Sequence, residues 1–397
     1  MRRRCCLLLC FALSAVASAA QQRVDDHHWT GVERIVAIGD LHGDYESYLS
    51  VLRAAGIIDA RGRWSGGSSH LVQTGDIPDR GADTRRIIAH LGRLATQAAR
   101  RGGHVHNLMG NHEAMNVYGD LRYVSAGEFA AFAGQRSAAE RNRYFERVMQ
   151  DLKRTDPARA AALPDDFRER WNREHPLGWI EHRRAWDPRW NPQGELFRWV
   201  IAEKVAVQIN DLVFVHAGIS SDYCGNSLAS LSTMAHAALR KADDGERSIL
   251  DDPRGPLWYR GMAGVEPATR PGTVAAILRR HGARHVVIGH TVTKGVIWPR
   301  LDARIIQIDT GMSAAYGRHI GWLEVTPEGL FAGYPNGRLP LPERDDGRAG
   351  YLEAVIALQP DNPALRQRLD RLRAPASAPQ ESDEAGSDDA ATCGTSH

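Results

Sequence analysis

Apolar residues fall into short runs that stop abruptly at Gly-Asp, Gly-Asn or Gly-His. Arg34–Ile38, His70–Thr74 and His104–Leu108 read as three buried strands, because runs of about five bounded by turn residues are too short for helices. Helical spacing follows the first two. Tyr45–Ala55 places apolar side chains at Tyr48, Leu49, Val51 and Leu52; residues 83–101 do so at Ile87, Ile88, Leu91, Leu94 and Ala98, ending at Gly102-Gly103. Strand signals resume with Val205–Ile209 and Leu212–Val215, then Ala283–Ile288, Arg304–Ile308, Gly321–Val325 and Leu330–Gly333. The last of these follow one another through short turns. A strand-helix first half and a more antiparallel second half predict an α/β fold of two mixed β-sheets flanked by helices.

Between the halves, about 120–198, the pattern loosens into charged helical pieces such as Ala138–Arg154, separated by prolines and carrying Trp171, Trp179, Trp186, Trp190 and Trp199. Such a helical insertion either caps a substrate or packs a small core of its own. Beyond the last strands, 346–373 holds a helical segment broken at Pro360 and Pro363, and the Ala/Ser/Pro/Asp/Glu-rich tail 374–397 is expected to be disordered. One catalytic domain over 30–345, containing the insertion, accounts for the rest.

Residues 1–20 read as a signal peptide: Arg2 to Arg4, an apolar stretch from Cys5 to Val16, then Ala17-Ser18-Ala19. The apolar stretch falls short of the roughly 20 residues a membrane span needs, and Leu9 stands before Cys10 where a lipid anchor would want a small residue. Export to the periplasm or the medium is expected, with no stable membrane span. With Arg2 to Arg4 removed, Lys plus Arg falls from 50 to 47 against 48 Asp plus Glu, and the formal charge from +2 to −1. Nothing in that balance favours nucleic acid. Of five cysteines, Cys224 and Cys393 remain, far apart and without metal-ligand spacing. This argues against a disulfide framework and makes Cys224 a small core or loop residue.

The strand ends carry the chemistry. Gly39-Asp40-Leu-His42-Gly43, Gly75-Asp76-Ile-Pro-Asp79-Arg80-Gly81, Gly110-Asn111-His112-Glu113, Val215-His216 and Gly289-His290 each follow an apolar run. Carboxylates, imidazoles and an amide oxygen suit Mn, Fe or Zn. Asp40, His42 and Asp76 could hold one ion, and Asp76, Asn111, His216 and His290 a second, with Asp76 bridging. Two such cations would acidify a water and supply hydroxide for in-line attack on a phosphoester. His112 is placed to protonate the leaving alcohol, Asp79 to orient it, and Arg80 to grip phosphate through its planar guanidinium. Arg260, in Leu257-Trp-Tyr-Arg-Gly261, is the candidate second grip. His104, His106 and Asp309 are expected to be structural or supporting, and His27 and His28, in a polar lead, to have no role.

These motifs resemble the metallophosphoesterase superfamily, its phosphoprotein phosphatase branch, and within that the Shewanella-like protein phosphatases. The resemblance implies an αββα sandwich, a dinuclear Mn, Fe or Zn centre, and hydrolysis of phosphomonoesters on proteins or small molecules, with the roles on the residues just named. One departure stands out: where eukaryotic serine/threonine phosphatases have a Ser-Ala-Pro-Asn-Tyr loop, this chain has Asp309-Thr-Gly-Met-Ser-Ala-Ala-Tyr316. Two competing readings share part of the pattern. A dinucleoside polyphosphate hydrolase would use the same core, but its relatives usually lack the turn seen here as Asp79-Arg80-Gly81, and a silent metal-binding protein would need none of His112, Asp79 and Arg80. Phosphotyrosine and phosphoserine/threonine substrates are not distinguished, nor is the oligomeric state.

Overall fold

A computed structural model describes residues 22–241, 248–265, 268–374 and Cys393. The signal-peptide expectation and, apart from Ala374 and Cys393, the disordered-tail expectation lie outside the described residues. The described residues form thirteen strands: β1 Gln22–Arg23, β2 His28–Thr30, β3 Ile35–Ile38, β4 His70–Gln73, β5 His104–Asn107, β6 Ala206–Ile209, β7 Leu212–Val215, β8 His285–Ile288, β9 Trp298–Arg300, β10 Ile305–Gln307, β11 Trp322–Thr326, β12 Gly329–Tyr334 and β13 Gly337–Pro340. They form two mixed sheets, ordered β1-β2-β6-β7-β8-β10-β9 and β13-β12-β11-β3-β4-β5.

Alternation along each strand divides its side chains between two cores. Ile35, Ala37 and Val72 of one sheet meet Val207, Phe214, Val287 and Ile306 of the other. From the opposite faces, Val36, Ile38 and Leu71 pack on Leu52, Ile87 and Leu91 of the helices Tyr45–Ala54 and Thr84–Ala99. Val213, Val215 and Val286 pack on Leu228, Val274 and Ile277 of the helices Leu228–Lys241 and Pro271–His281. Helix, sheet, sheet and helix layers result. β3, β4 and β5 run parallel, as do β7, β8 and β10, so their carboxyl ends collect along one edge of the sandwich.

Several expectations change. The polar lead is not idle: β1 pairs with β2, and β2 adds in parallel to β6, which places Trp29 beside the histidines of β4 and β5. Two short edge strands, β9 and β13, each contain a proline tolerated at a sheet margin, and the apolar pattern alone did not mark them. The expected separateness of the cysteines is wrong. Cys224, buried as anticipated, forms a disulfide with Cys393 across 169 residues of sequence, their Cα atoms 5.3 Å apart. Sequence distance had hidden the pairing, because the fold brings the far carboxyl end back to the loop after β7.

In the insertion, Tyr144 meets the rings of Trp171, Trp179 and Trp190, with centroids 5.9, 5.7 and 5.2 Å away. Trp186 is fully buried with Phe132, Leu196 and Phe197. The tryptophans thus pack the insertion's own core and its seam with the sandwich. Its leading edge, at Tyr123 and Glu128, reaches the carboxyl-end cluster.

Candidate metal centre

Each motif sits where a parallel strand ends. Asp40 and His42 follow β3, Asp76 to Arg80 follow β4, Asn111 and His112 open the helix Asn111–Tyr118 after β5, His216 follows β7 and His290 follows β8. Turning these side chains back over the strand ends takes unusual backbone. His42, Asp76, Asp79, Arg80 and His290 have φ of 46°, 59°, 74°, 64° and 61°. Left-handed conformations at non-glycine residues cost on the order of 1–3 kcal/mol each and persist only where surroundings enforce them. Gly75 (φ 101°) admits no side chain, since a Cβ there would lie 2.6 Å from Gly110 N.

Asp76 is the hub. Its Oδ2 lies 3.4 Å from His216 Nε2, 3.8 Å from His112 Nε2 and 4.0 Å from His42 Nε2. His216 Nε2 is also 3.0 Å from Asn111 Oδ1 and 3.1 Å from His290 Nδ1. Asp40 Oδ1 accepts from the His290 backbone N–H at 3.1 Å, while its Oδ2 is 4.0 Å from His42 Nε2. Ligand atoms converge in two groups that share Asp76: His42, Asp76 and His112, and Asp76, His216 and His290. The first differs from the expected trio by having His112 nearer than Asp40. We keep His112 apart from the ligands because its Nδ1 is bonded to Asp79, an arrangement that orients a catalytic imidazole.

Burial and charge set the protonation pattern. Burial, then Asp309 and Asp76, push the Asp40 carboxyl well above the carboxylate range. Against burial, the imidazoles of His216 and His112 hold Asp76 well below it. Burial and His112 lower His42 to about 3. His112 and His216 are raised despite burial, chiefly by Asp76. His290 Nε2 and Asp309 Oδ2 are buried with no hydrogen-bond partner among the described residues. Buried carboxylates and imidazoles whose ligand atoms converge on Asp76 are what a cation site requires. Asp40, His42, Asp76, Asn111, His216 and His290 therefore fit divalent metal ions.

Beside the cluster, His112 Nδ1 and Asp79 Oδ2 are 2.5 Å apart, and both groups are buried. Asn116 Nδ2 donates to the other Asp79 oxygen at 2.9 Å, and Asp79 N–H donates to Glu128 Oε2 at 3.0 Å. Arg80 lies between the rings of Tyr123 and Tyr316. Arg260 donates to His290 O and Thr291 Oγ1, both at 3.1 Å, so the two arginines flank the cluster from the His42 side and the His290 side. A cavity of about 550 Å³ opens beside Arg260, walled in part by Tyr118, Trp258 and Tyr259.

Sequence reasoning missed three kinds of support. Glu113 accepts the N–H groups of Asp76, Ile77 and Gly110 at 2.8–2.9 Å, its carboxyl pushed up to about 7 by burial and by Asp76. Its place in Gly-Asn-His-Glu was a usable signal. Asn116, one helical turn beyond His112, was a weaker one. Glu128, Tyr123 and Tyr316 carried none, because they reach the site from other elements, the first two from the start of the insertion and the third from the segment after β10. Asp309, expected to be supporting, lies just beyond β10, where its charge acts on Asp40 and its Oδ1 accepts from Gly311 N at 3.0 Å.

Two mixed sheets flanked by helices, with buried carboxylates and imidazoles gathered at the strand ends, define a metallophosphoesterase. The chain belongs to the calcineurin-like phosphoesterase family, whose model matches residues 33–294. It resembles Shewanella-like protein phosphatase 2 of Arabidopsis thaliana, 30% identical over 291 residues that cover 71% of this chain and 72% of that one. Shewanella-like protein phosphatase 1 of Plasmodium berghei is 26% identical over 306 residues, 75% of this chain and 71% of that one. Among solved structures, a cold-active protein-tyrosine phosphatase of a psychrophilic Shewanella species superposes with a TM-score of 0.58 at 26% identity, covering 80% of this chain and 82% of that one. The protein is a hydrolase acting on phosphoester bonds. No helix among the described residues is long and apolar enough to cross a membrane.

Proposed function

We propose that the protein is a metal-dependent phosphomonoesterase acting on phosphorylated proteins. The observation that carries this reading is the buried 2.5 Å contact between His112 and Asp79. Metal binding alone needs neither residue, whereas expelling an alkoxide needs a held proton donor. Asp79 accepts from Nδ1–H, which leaves Nε2 facing Asp76 and the space over the cluster, where a leaving oxygen can take its proton. Arg80 and Arg260 grip phosphate oxygens from opposite sides. Bound ions, of manganese, iron or zinc type, supply Lewis acidity and an acidified water to such a donor set. The three relatives described, each named a protein phosphatase, support a phosphoprotein substrate.

The test is hydrolysis of p-nitrophenyl phosphate and phosphopeptides. EDTA abolishes it, Mn restores it, and Asp76→Asn and His112→Asn are nearly inactive. Full activity in either variant sinks the role assignment. Faster release of nucleotide from diadenosine tetraphosphate than of phosphate from phosphopeptides replaces the substrate class.

We also propose export. The Arg2–Arg4 and apolar leader and the Cys224–Cys393 disulfide both suit an oxidising compartment outside the cytosol. Cell fractionation tests the location. Closing a loop of 169 residues stabilises by about 5 kcal/mol in the chain-entropy picture, so dithiothreitol lowers the unfolding temperature of the exported protein. Recovery in the cytosol with both thiols free refutes the proposal.

A further inference from the structure

Arg80 has no acid partner among the described residues. Its neighbour Asp79 is committed to His112 and Asn116, and Arg80 Nε is buried without a hydrogen-bond partner among the described residues. An arginine so placed ordinarily needs a carboxylate to hold its pose, but that carboxylate would occupy the donors that phosphate has to find. Here the guanidinium carbon lies 4.7 Å from the Tyr123 ring centroid and 5.0 Å from that of Tyr316. Stacking on aromatic faces engages the plane of the guanidinium and leaves its edge N–H groups free. The Arg80 backbone N–H also donates to Tyr123 O at 3.0 Å, fixing the residue in its left-handed conformation.

We propose that Tyr123 and Tyr316 form an aromatic clamp that positions Arg80 for a phosphate dianion. The inference deepens the phosphomonoesterase reading and rests on it. The two rings come from different parts of the chain, Tyr123 from the first turn of the insertion and Tyr316 from the short helix Ala314–Tyr316. The same rings tie the clamp to the centre: Tyr123 lies 5.0 Å from the His112 ring and Tyr316 5.5 Å from the His42 ring. Tyr316 falls in the segment that replaces the eukaryotic loop, so this stretch contributes a phosphate-positioning wall in place of that loop. Both tyrosines act through Arg80 and are positioning residues.

The clamp makes a quantitative demand. Tyr123→Ala and Tyr316→Ala each raise KM for p-nitrophenyl phosphate, and the Kd for inorganic phosphate measured by calorimetry on the Mn-loaded protein, by about 3- to 30-fold, with kcat changed less than about threefold. Tyr→Phe at either position, which keeps the ring, restores wild-type KM. In an Arg80→Ala background the same Tyr→Ala changes add no further loss, since nothing is left to position. Tyr123→Leu, bulky but without a π face, stands in if an alanine variant fails to fold. Unchanged phosphate affinity in the Ala or Leu variants, or an undiminished loss in the Arg80→Ala background, overturns the clamp. A wild-type protein that binds phosphate yet hydrolyses no phosphomonoester refutes the enzymatic reading instead, and phosphate affinity still decides the clamp.

Discussion

Histidines gather at both ends of the parallel strands, and the two ends do opposite things with them. At the carboxyl ends, His112 and His216 sit among Asp76 and Asp79, and both imidazoles are held above their ordinary value despite burial. At the amino ends, His70, His104 and His106 gather with Trp29. His106 Nε2 lies 2.9 Å from His70 Nδ1, the His104 and His106 rings are 4.3 Å apart, and Trp29 packs 4.6 Å from His104. Lys204 and Arg23 act on this trio as cations, together with the other imidazoles. Burial and those neighbours lower His70 to about 3 and His104 to about 4, and His106 well below the ordinary value. Clustered imidazoles are therefore held protonatable only where a carboxylate outweighs burial, as Asp76 does at His112 and His216, and stay neutral in the ring-packed corner.

Removing the carboxylate from the reactive end is the most severe way to break that contrast. Asp79→Asn leaves His112 without its anionic partner while sparing the ligand cluster, so kcat falls by about 10²–10⁴-fold with bound metal unchanged by elemental analysis. A loss under threefold would show that the pair is not part of the reaction. Glu113→Gln is gentler. The amide leaves one oxygen for the three backbone N–H groups that Glu113 now accepts. Loosening the loops of Asp76 and Asn111 should weaken metal binding about 10–100-fold, as read by competition with a fluorescent chelator. Unchanged affinity would mean that the loops hold their shape without it.

How much of this was legible in advance follows the range of each signal. The carboxyl-end residues lie within a few positions of a strand and a glycine, so Asp40, Asp76, Asn111 and His290 could be named from local pattern, along with the sheets that present them. What the chain could not show locally came from far away. Glu128 reaches Asp79 across 49 positions, and Tyr316 reaches Arg80 from the other end of the domain. β2 was passed over because His28-Trp29-Thr30 is too short to alternate visibly, and pairing with β6 gives it its place. The disulfide failed for the same reason on a larger scale. The left-handed backbone at Asp76, Asp79 and Arg80 is likewise imposed by the packed site, for no propensity of those residues demands it.

The inert end offers the mildest test, and its sign can be worked out. In an unfolded chain each imidazole titrates near 6.5, whereas folded His70 and His104 take protons only at about 3 and about 4. Above pH 6.5 both states are neutral and these groups leave stability unchanged. As pH falls from 6.5 towards 3 to 4, the unfolded chain binds protons that the folded one refuses, so stability drops through that window. Replacing both members of the His70–His106 hydrogen bond by leucine removes two of the refused protons. The unfolding temperature of the double variant should thus decline less between pH 7 and pH 5 than that of the wild type, with phosphatase activity at pH 7.5 retained within about threefold, as expected of sites far enough apart to act independently. A double variant that lost its metal at neutral pH would break the comparison, because the corner taken as inert would then be coupled along β4 and β5 to the centre at their other ends.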